Sequence, residues 1–143
     1  MSFVWRWAER TDLYAKRAAF ALLAQLALRD QALDDDELEP FLQLIFAGAE
    51  DPRRHVRQAV SWALRAIGKR NASCHERALA VALELIEGET TARRWVGRHA
   101  LRELQTLVKV PERTLLLTSK SKMGRKTVRA RARRARAAPT PRR

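Results

Sequence analysis

The segment HVRQAVSWALRAIGKRN (55–71) sets an indole among cations and amides at helical spacing. At about 100° per residue, His55, Gln58, Trp62, Arg65 and Lys69 fall within one quarter of a helix, opposite Val60. Such a face can stack an aromatic ring on a base or sugar while its neighbours hold phosphates. It can equally pack Trp62 against an adjacent helix and let Arg65 and Lys69 snorkel to water. The residues alone leave both readings open.

A second set lies in ARRWVGRHALREL (92–104). Arg94, Arg98 and Arg102 are spaced four apart and share a face with Gln105, with Trp95 at its edge. A row of like charges repels itself unless an anion lies opposite. Phosphate would satisfy it, and so would Glu84, Glu87 or Glu103. Arg17, among Leu13, Phe20, Ala21 and Ala24, is either a buried structural pair or a fixed anion contact.

Other chemistries find little support. His55, His75 and His99 have no metal-ligand spacing, Ser61 lacks a nucleophile-elbow sequence, and there is no glycine-rich phosphate loop. The acidic run from Asp34 to Glu37 reads as a solvated loop with a helix cap. No metal and no cofactor is expected.

The elements that must position these faces are helical. Glycine and proline number five each in 143 residues and fall mostly between apolar periodic runs. Five helices are expected. The first runs from Asp12 to Leu28 and the second from about Asp36 to Ala49, with Pro40 near its first turn. Asp51 and Pro52 are read as N-cap and first residue of a third, ending near Arg70 with Asn71 as its C-terminal cap. Ser73 and Glu76 form a capping box for the fourth, which stops before Gly88. Thr90 or Thr91 opens the fifth, which continues towards Val108.

These helices repeat. YAKRAAFALLAQL aligns with HVRQAVSWALRAI at an offset of 41, and ALREL (100–104) with ALRAI (63–67) at an offset of 37. Two helices per unit of about 40 residues predict an all-α, HEAT-like solenoid of antiparallel pairs, stacked in three layers over residues 1–117 without a sheet.

The net charge of +13 is uneven. Residues 1–117 hold 18 Lys and Arg against 16 Asp and Glu, whereas 118–143 hold 11 basic residues and no acid. That tail attracts polyanions through salt-dependent phosphate contacts. With one Val and one Met as its larger apolar groups, it is expected to be disordered in isolation. Cys74, the sole cysteine, leaves no internal disulfide and fits a reducing cytoplasm. The run AAFALLAQLAL (18–28) is about half the length needed to span a bilayer, so no membrane association is expected.

RAAFALLAQLA (17–27), VRQAVSWALRAIGKRN (56–71) and ARRWVGRHALREL (92–104) together make the chain resemble the AlkD-like DNA alkylation repair proteins, a HEAT-repeat family of DNA glycosylases. The resemblance implies a concave basic surface for double-stranded DNA and release of cationic alkylated purines such as 3-methyladenine and 7-methylguanine. Arg17 then matches a cleft arginine, Trp62 a DNA-facing tryptophan, and Trp7 the tryptophan ten residues before that arginine.

The family's WDxxD-like segment, whose aspartate steadies positive charge on the sugar, has no counterpart here. The chain therefore reads as the C-terminal part of such a fold, with no assignable catalytic residue and little or no glycosylase activity expected. DNA contact is assigned to Arg17, Trp62, Arg65, Lys69, Arg94 and Arg98 in a monomer at the nucleoid. The alternatives are a non-catalytic DNA-binding remnant and a scaffold for a protein partner.

Overall fold

The computed structural model describes residues 2–141. Six helices form the body: α1 (Ser2–Ala8), α2 (Leu13–Arg29), α3 (Asp35–Gly48), α4 (Arg54–Gly68), α5 (Ala72–Ile86) and α6 (Thr91–Leu104). Loops of three to five residues join them, and α1 packs on α2, α3 on α4, α4 on α5 and α5 on α6, whereas α2 packs on α4 and not on α3. The pairs α1/α2, α3/α4 and α5/α6 stack as three layers, and α2, α4 and α6 pack side by side in one row. The all-helical solenoid read from the repeats is the observed architecture.

The core follows the periodicity. Phe20 and Leu23 of α2, Leu38 and Ile45 of α3, Val60, Leu64 and Ile67 of α4, Leu85 of α5 and Leu104 of α6 are all buried. Each contributes roughly 1.5–3 kcal/mol relative to exposure. Alanines 19, 24, 59 and 63 are buried too, and their small side chains let α2 and α4 approach closely. Gly97 does the same between α5 and α6, because a Cβ there would lie 2.7 Å from the Ala82 carbonyl oxygen.

Several local expectations need correcting. The short α1 precedes the five expected helices and is anchored by Val4, which is fully buried, and by Trp5 tilted against Phe41 at 5.3 Å. Pro40 is the sixth residue of α3, not part of its first turn; it is exposed, so water reaches the carbonyl left without a donor. Asp34 sets the start of α3 through a capping box with Glu37.

Asp51 and Pro52 do not open α4, which starts at Arg54 with no side-chain cap. The buried Asp51 carboxylate is engaged elsewhere. It accepts the Arg53 backbone N–H at 2.9 Å and the Arg53 guanidinium at 2.8 Å, and pairs with Lys16 of α2 at 3.1 Å. Asn71 belongs to the next helix: its side-chain oxygen accepts the Cys74 N–H at 2.8 Å and caps α5, so the Ser73–Glu76 box is not used. That start leaves only three residues between α4 and α5, and α4 ends at Gly68.

Arg70 closes this turn against the first layer. Its buried guanidinium donates to the carbonyls of Ala27, Asp30 and Leu33 at 2.8, 2.9 and 2.6 Å, satisfying acceptors at the end of α2. Asp35 beside it accepts from Asn71 at 2.9 Å. Cys74 is buried against the same carboxylate; burial first, then Asp35, pushes its thiol up to about 11.

Beyond α6 the chain is not helical up to Val108 as expected. The expectation of no sheet within residues 1–117 does not hold either: Leu107–Val108 (β1) pairs antiparallel with Leu117–Thr118 (β2), a two-stranded ribbon appended to the solenoid. The Leu116 N–H donates to the Lys69 carbonyl at 2.8 Å and the Ser119 N–H to Thr106 at 2.7 Å. The basic tail also departs from expected disorder, forming α7 (Lys122–Ala137) with Ser121 as its N-cap. Ala, Arg and Lys are good helix formers, so propensity and a cap supply what burial does not.

Asp51 gives this arrangement a pH signature. Its hydrogen bonds to Arg53, opposed by burial and helped by Lys16, hold the carboxyl well below the usual aspartate range. The resulting stability is fully present above the unfolded value near 4 and is lost as pH falls through the depressed folded value. Asp51→Ala should therefore lose about 2 kcal/mol at pH 7 in denaturant unfolding, with the gap to the native chain closing below about pH 4. Equal stability at pH 7 would overturn this account.

Candidate nucleic-acid interface

Helix α4 buries Val56, Ala59, Val60, Ala63, Leu64, Ala66 and Ile67 against its neighbours, which turns the quarter bearing Gln58, Trp62, Arg65 and Lys69 away from the core. The same side of the row carries equivalent positions on α2 and α6. The offsets of 41 and 37 put Arg17, Gln58 and Trp95 on one rung. They put Ala21, Trp62 and His99 on the next, and Ala24, Arg65 and Arg102 on a third. Arg17, Gln58, Arg98 and Arg102 are exposed, while Trp62, Trp95 and His99 are half-buried.

A polar seam joins α4 to α6. The Arg57 guanidinium lies 4.5 Å from the Trp95 ring centre, and Trp95 stacks on His99 at 4.5 Å with an 11° interplanar angle. The Ser61 hydroxyl is 2.7 Å from His99 Nδ1. Burial, followed by Arg65 and Arg102, holds His99 below the usual histidine range, so it is neutral at pH 7. Glu103 then receives Arg65 at 2.7 Å and Lys69 at 2.5 Å. Burial pushes the Glu103 carboxyl up, but the hydrogen bonds from Lys69 and Arg65 outweigh it, and the net shift is downward.

The structure brings only some of the sequence-identified residues together. Arg65 and Lys69 meet at Glu103, which pairs across to α4 and not with the arginine row of its own helix. Trp62 lies between the two readings, with part of its ring against the core and part accessible. Arg17 is exposed on α2, so the buried-pair reading does not hold for it. Arg94 is turned away: it donates to the carbonyls of Gly88 and Glu89 at 3.0 and 2.8 Å and closes the turn before α6. Trp7 sits on α1, tilted against Phe3 at 5.8 Å.

Arg98 and Arg102 border a shallow cleft of about 210 Å³ with Thr91, Trp95 and His99. Sequence reasoning put Trp95 at the edge of this face and weighed His99 only as a metal ligand. The repeat alignment carries the missing signal, because it sets His99 opposite Trp62 and Trp95 opposite Gln58. Arg17, Arg98 and Arg102 have no ion-pair partner among the described residues, and Glu103 offsets only one of the two charges of Arg65 and Lys69. The side is therefore net positive, with flat aromatic groups between the charges. Among the described residues, no three His, Cys, Asp or Glu side chains group as a metal site, and no helix is long and apolar enough to cross a membrane.

This arrangement suits a polyanion carrying flat rings. No curated protein and no solved structure matches the chain. A family model described as DNA alkylation repair enzyme does, over residues 2–104, which runs from α1 to the last residue of α6 and stops short of the ribbon. With six helices in three layers and well over half its length inside that match, the chain belongs to the DNA alkylation repair enzyme family.

Proposed function

We propose that the outward side of the α2–α4–α6 row grips duplex DNA bearing alkylated purines. The observation that carries this reading is the alignment of Arg17, Arg98 and Arg102, without ion-pair partners among the described residues, with the partly accessible rings of Trp62, Trp95 and His99 along successive helices. Cations spaced along parallel helices meet phosphates, and the rings between them offer sugar or base contacts. Large exposed apolar side chains are spread over α1, α2, α5 and α7, which fits a protein working as a single copy; duplex DNA as the partner would place it in the cytoplasm at the nucleoid.

The associated chemistry is hydrolysis of the N-glycosidic bond of a cationic purine. As the C1′–N bond breaks, its electron pair leaves with the base, which departs neutral. Positive charge then grows on the sugar until water adds its oxygen to C1′ and gives up a proton. A fixed anion beside C1′ lowers that barrier. Among the side chains named on this side, Glu103 is the one carboxylate, and Lys69 and Arg65 already claim it. We therefore assign to these residues recognition and positioning of the lesion, with slow excision.

Two measurements test the reading. Arg17→Ala and Arg98→Ala should each lower affinity for an alkylated duplex and flatten the slope of log K against log salt by about 0.9. Trp62→Ala should lower affinity roughly 5- to 100-fold with the slope unchanged, since stacking releases no counterion. Three variants with native affinity would favour a protein-binding scaffold. In the second measurement, release of 7-methylguanine should run about 100- to 1000-fold below that of a glycosylase with a free carboxylate at the sugar. At equal DNA occupancy, Glu103→Gln should lower the rate far less than the about 100- to 1000-fold expected for loss of a catalytic anion, and a collapse of that size would make Glu103 the catalytic anion.

A further inference from the structure

We propose that α7 is a second contact for duplex DNA, in which a row of six cations follows one strand's phosphates. The proposal rests on duplex DNA being the partner argued above. It concerns residues beyond the family match, which ends at residue 104.

Helix α7 holds eight Lys and Arg in 16 residues and no acid. Lys122, Arg125, Lys126, Arg129, Arg133 and Arg136 fall within about 100° of arc, and all six are exposed. None has an ion-pair partner among the described residues. The adjacent side faces the protein. Met123, Thr127, Ala130 and Arg131 border a groove of about 250 Å³ with Pro111 and Glu112, and the Arg131 guanidinium donates to the Lys109 carbonyl at 2.8 Å.

The first turn fixes the direction in which the row points. Ser121 Oγ accepts the Gly124 N–H at 3.0 Å and donates to the Thr118 carbonyl at 2.7 Å. Gly124 lies so close to β2 that a Cβ there would come within 2.2 Å of the Thr118 oxygen. No larger residue fits without moving the helix off the ribbon. The ribbon is itself hydrogen-bonded to residues at the ends of α4 and α6, so the row is tied to the same two helices that bear Trp62 and Arg98.

The row opposes its own helix. Lys122/Lys126, Arg125/Arg129 and Arg129/Arg133 are like-charge pairs four residues apart, each of which disfavours helix. A polyanion removes that conflict. From Lys122 to Arg136 the helix is about 21 Å long, over which one DNA strand presents about six phosphates. An anionic membrane is the weaker fit, because an interfacial helix needs an apolar face and Val128 is the one large apolar side chain of α7 that is exposed.

The test uses the full chain with Arg129, Arg133 and Arg136 all changed to Gln, titrated against a duplex of about 25 base pairs from about 50 to about 200 mM salt. The expected slope of log K against log salt is shallower by about 2.7, so the fourfold rise in salt costs the variant roughly 40-fold less affinity than the native chain. The corresponding triple Lys variant should keep the native slope, and thermal unfolding of the body should not change. If Arg17→Ala and Trp62→Ala leave affinity intact while the Gln variant flattens the slope, the row of helices is not the contact and α7 still is. A native slope in the Gln variant overturns the proposal. So does loss of binding to phosphatidylserine vesicles or single-stranded RNA with duplex binding retained.

Discussion

Helix α4 is enclosed by α2, α3, α5 and α6, and this enclosure governs what the rest of the protein can do. Nine of its fifteen residues are buried, so any side chain serving a partner must come from the strip that remains. Trp62, Arg65 and Lys69 occupy that strip because the apolar stripe takes every other direction. An indole there is held on one side by core atoms and keeps its other side free, a posture that restricts its rotamers before a ligand arrives.

The two interfaces of α4 within its row differ in kind. Towards α2 it is lined by alanines and aliphatics. Towards α6 it is polar, with a neutral histidine on a buried serine and a carboxylate between two cations. Buried polar contacts add little net stability, but each fixes a register that apolar surfaces would let slide. The seam also regulates charge: Glu103 takes up part of the positive field where α4 and α6 meet and leaves Arg17, Arg98 and Arg102 at the margins.

The layered fold was legible in the sequence because Val60, Leu64 and Ile67 recur at helical spacing and their partners recur about 40 residues away. What escaped notice depended on contacts that periodicity does not carry. Seven residues are too few for α1 to show a period, yet Val4 buries completely. Asn71 and Ser73 are both competent caps, and only the three-residue loop decides between them. Arg94 matches the spacing of Arg98 and Arg102, but the carbonyls of Gly88 and Glu89 lie within its reach. The tail has the composition of a disordered segment; the close approach of Gly124 to Thr118 is a tertiary fact with no local signature.

The environment of Cys74 matters for a member of a DNA alkylation repair family, because alkylation lesions arise from electrophiles. Alkylating agents react with thiolates faster than with most other protein groups, and at pH 7 a thiol with a value of about 11 is ionised in only about one molecule in ten thousand. Burial also denies the reagent an approach path. The single sulfhydryl of the chain is thus passivated by the same turn, with Arg70, Asn71 and Asp35, that locks the layers together. A repair factor built this way keeps its own covalent structure under the chemical stress that creates its work.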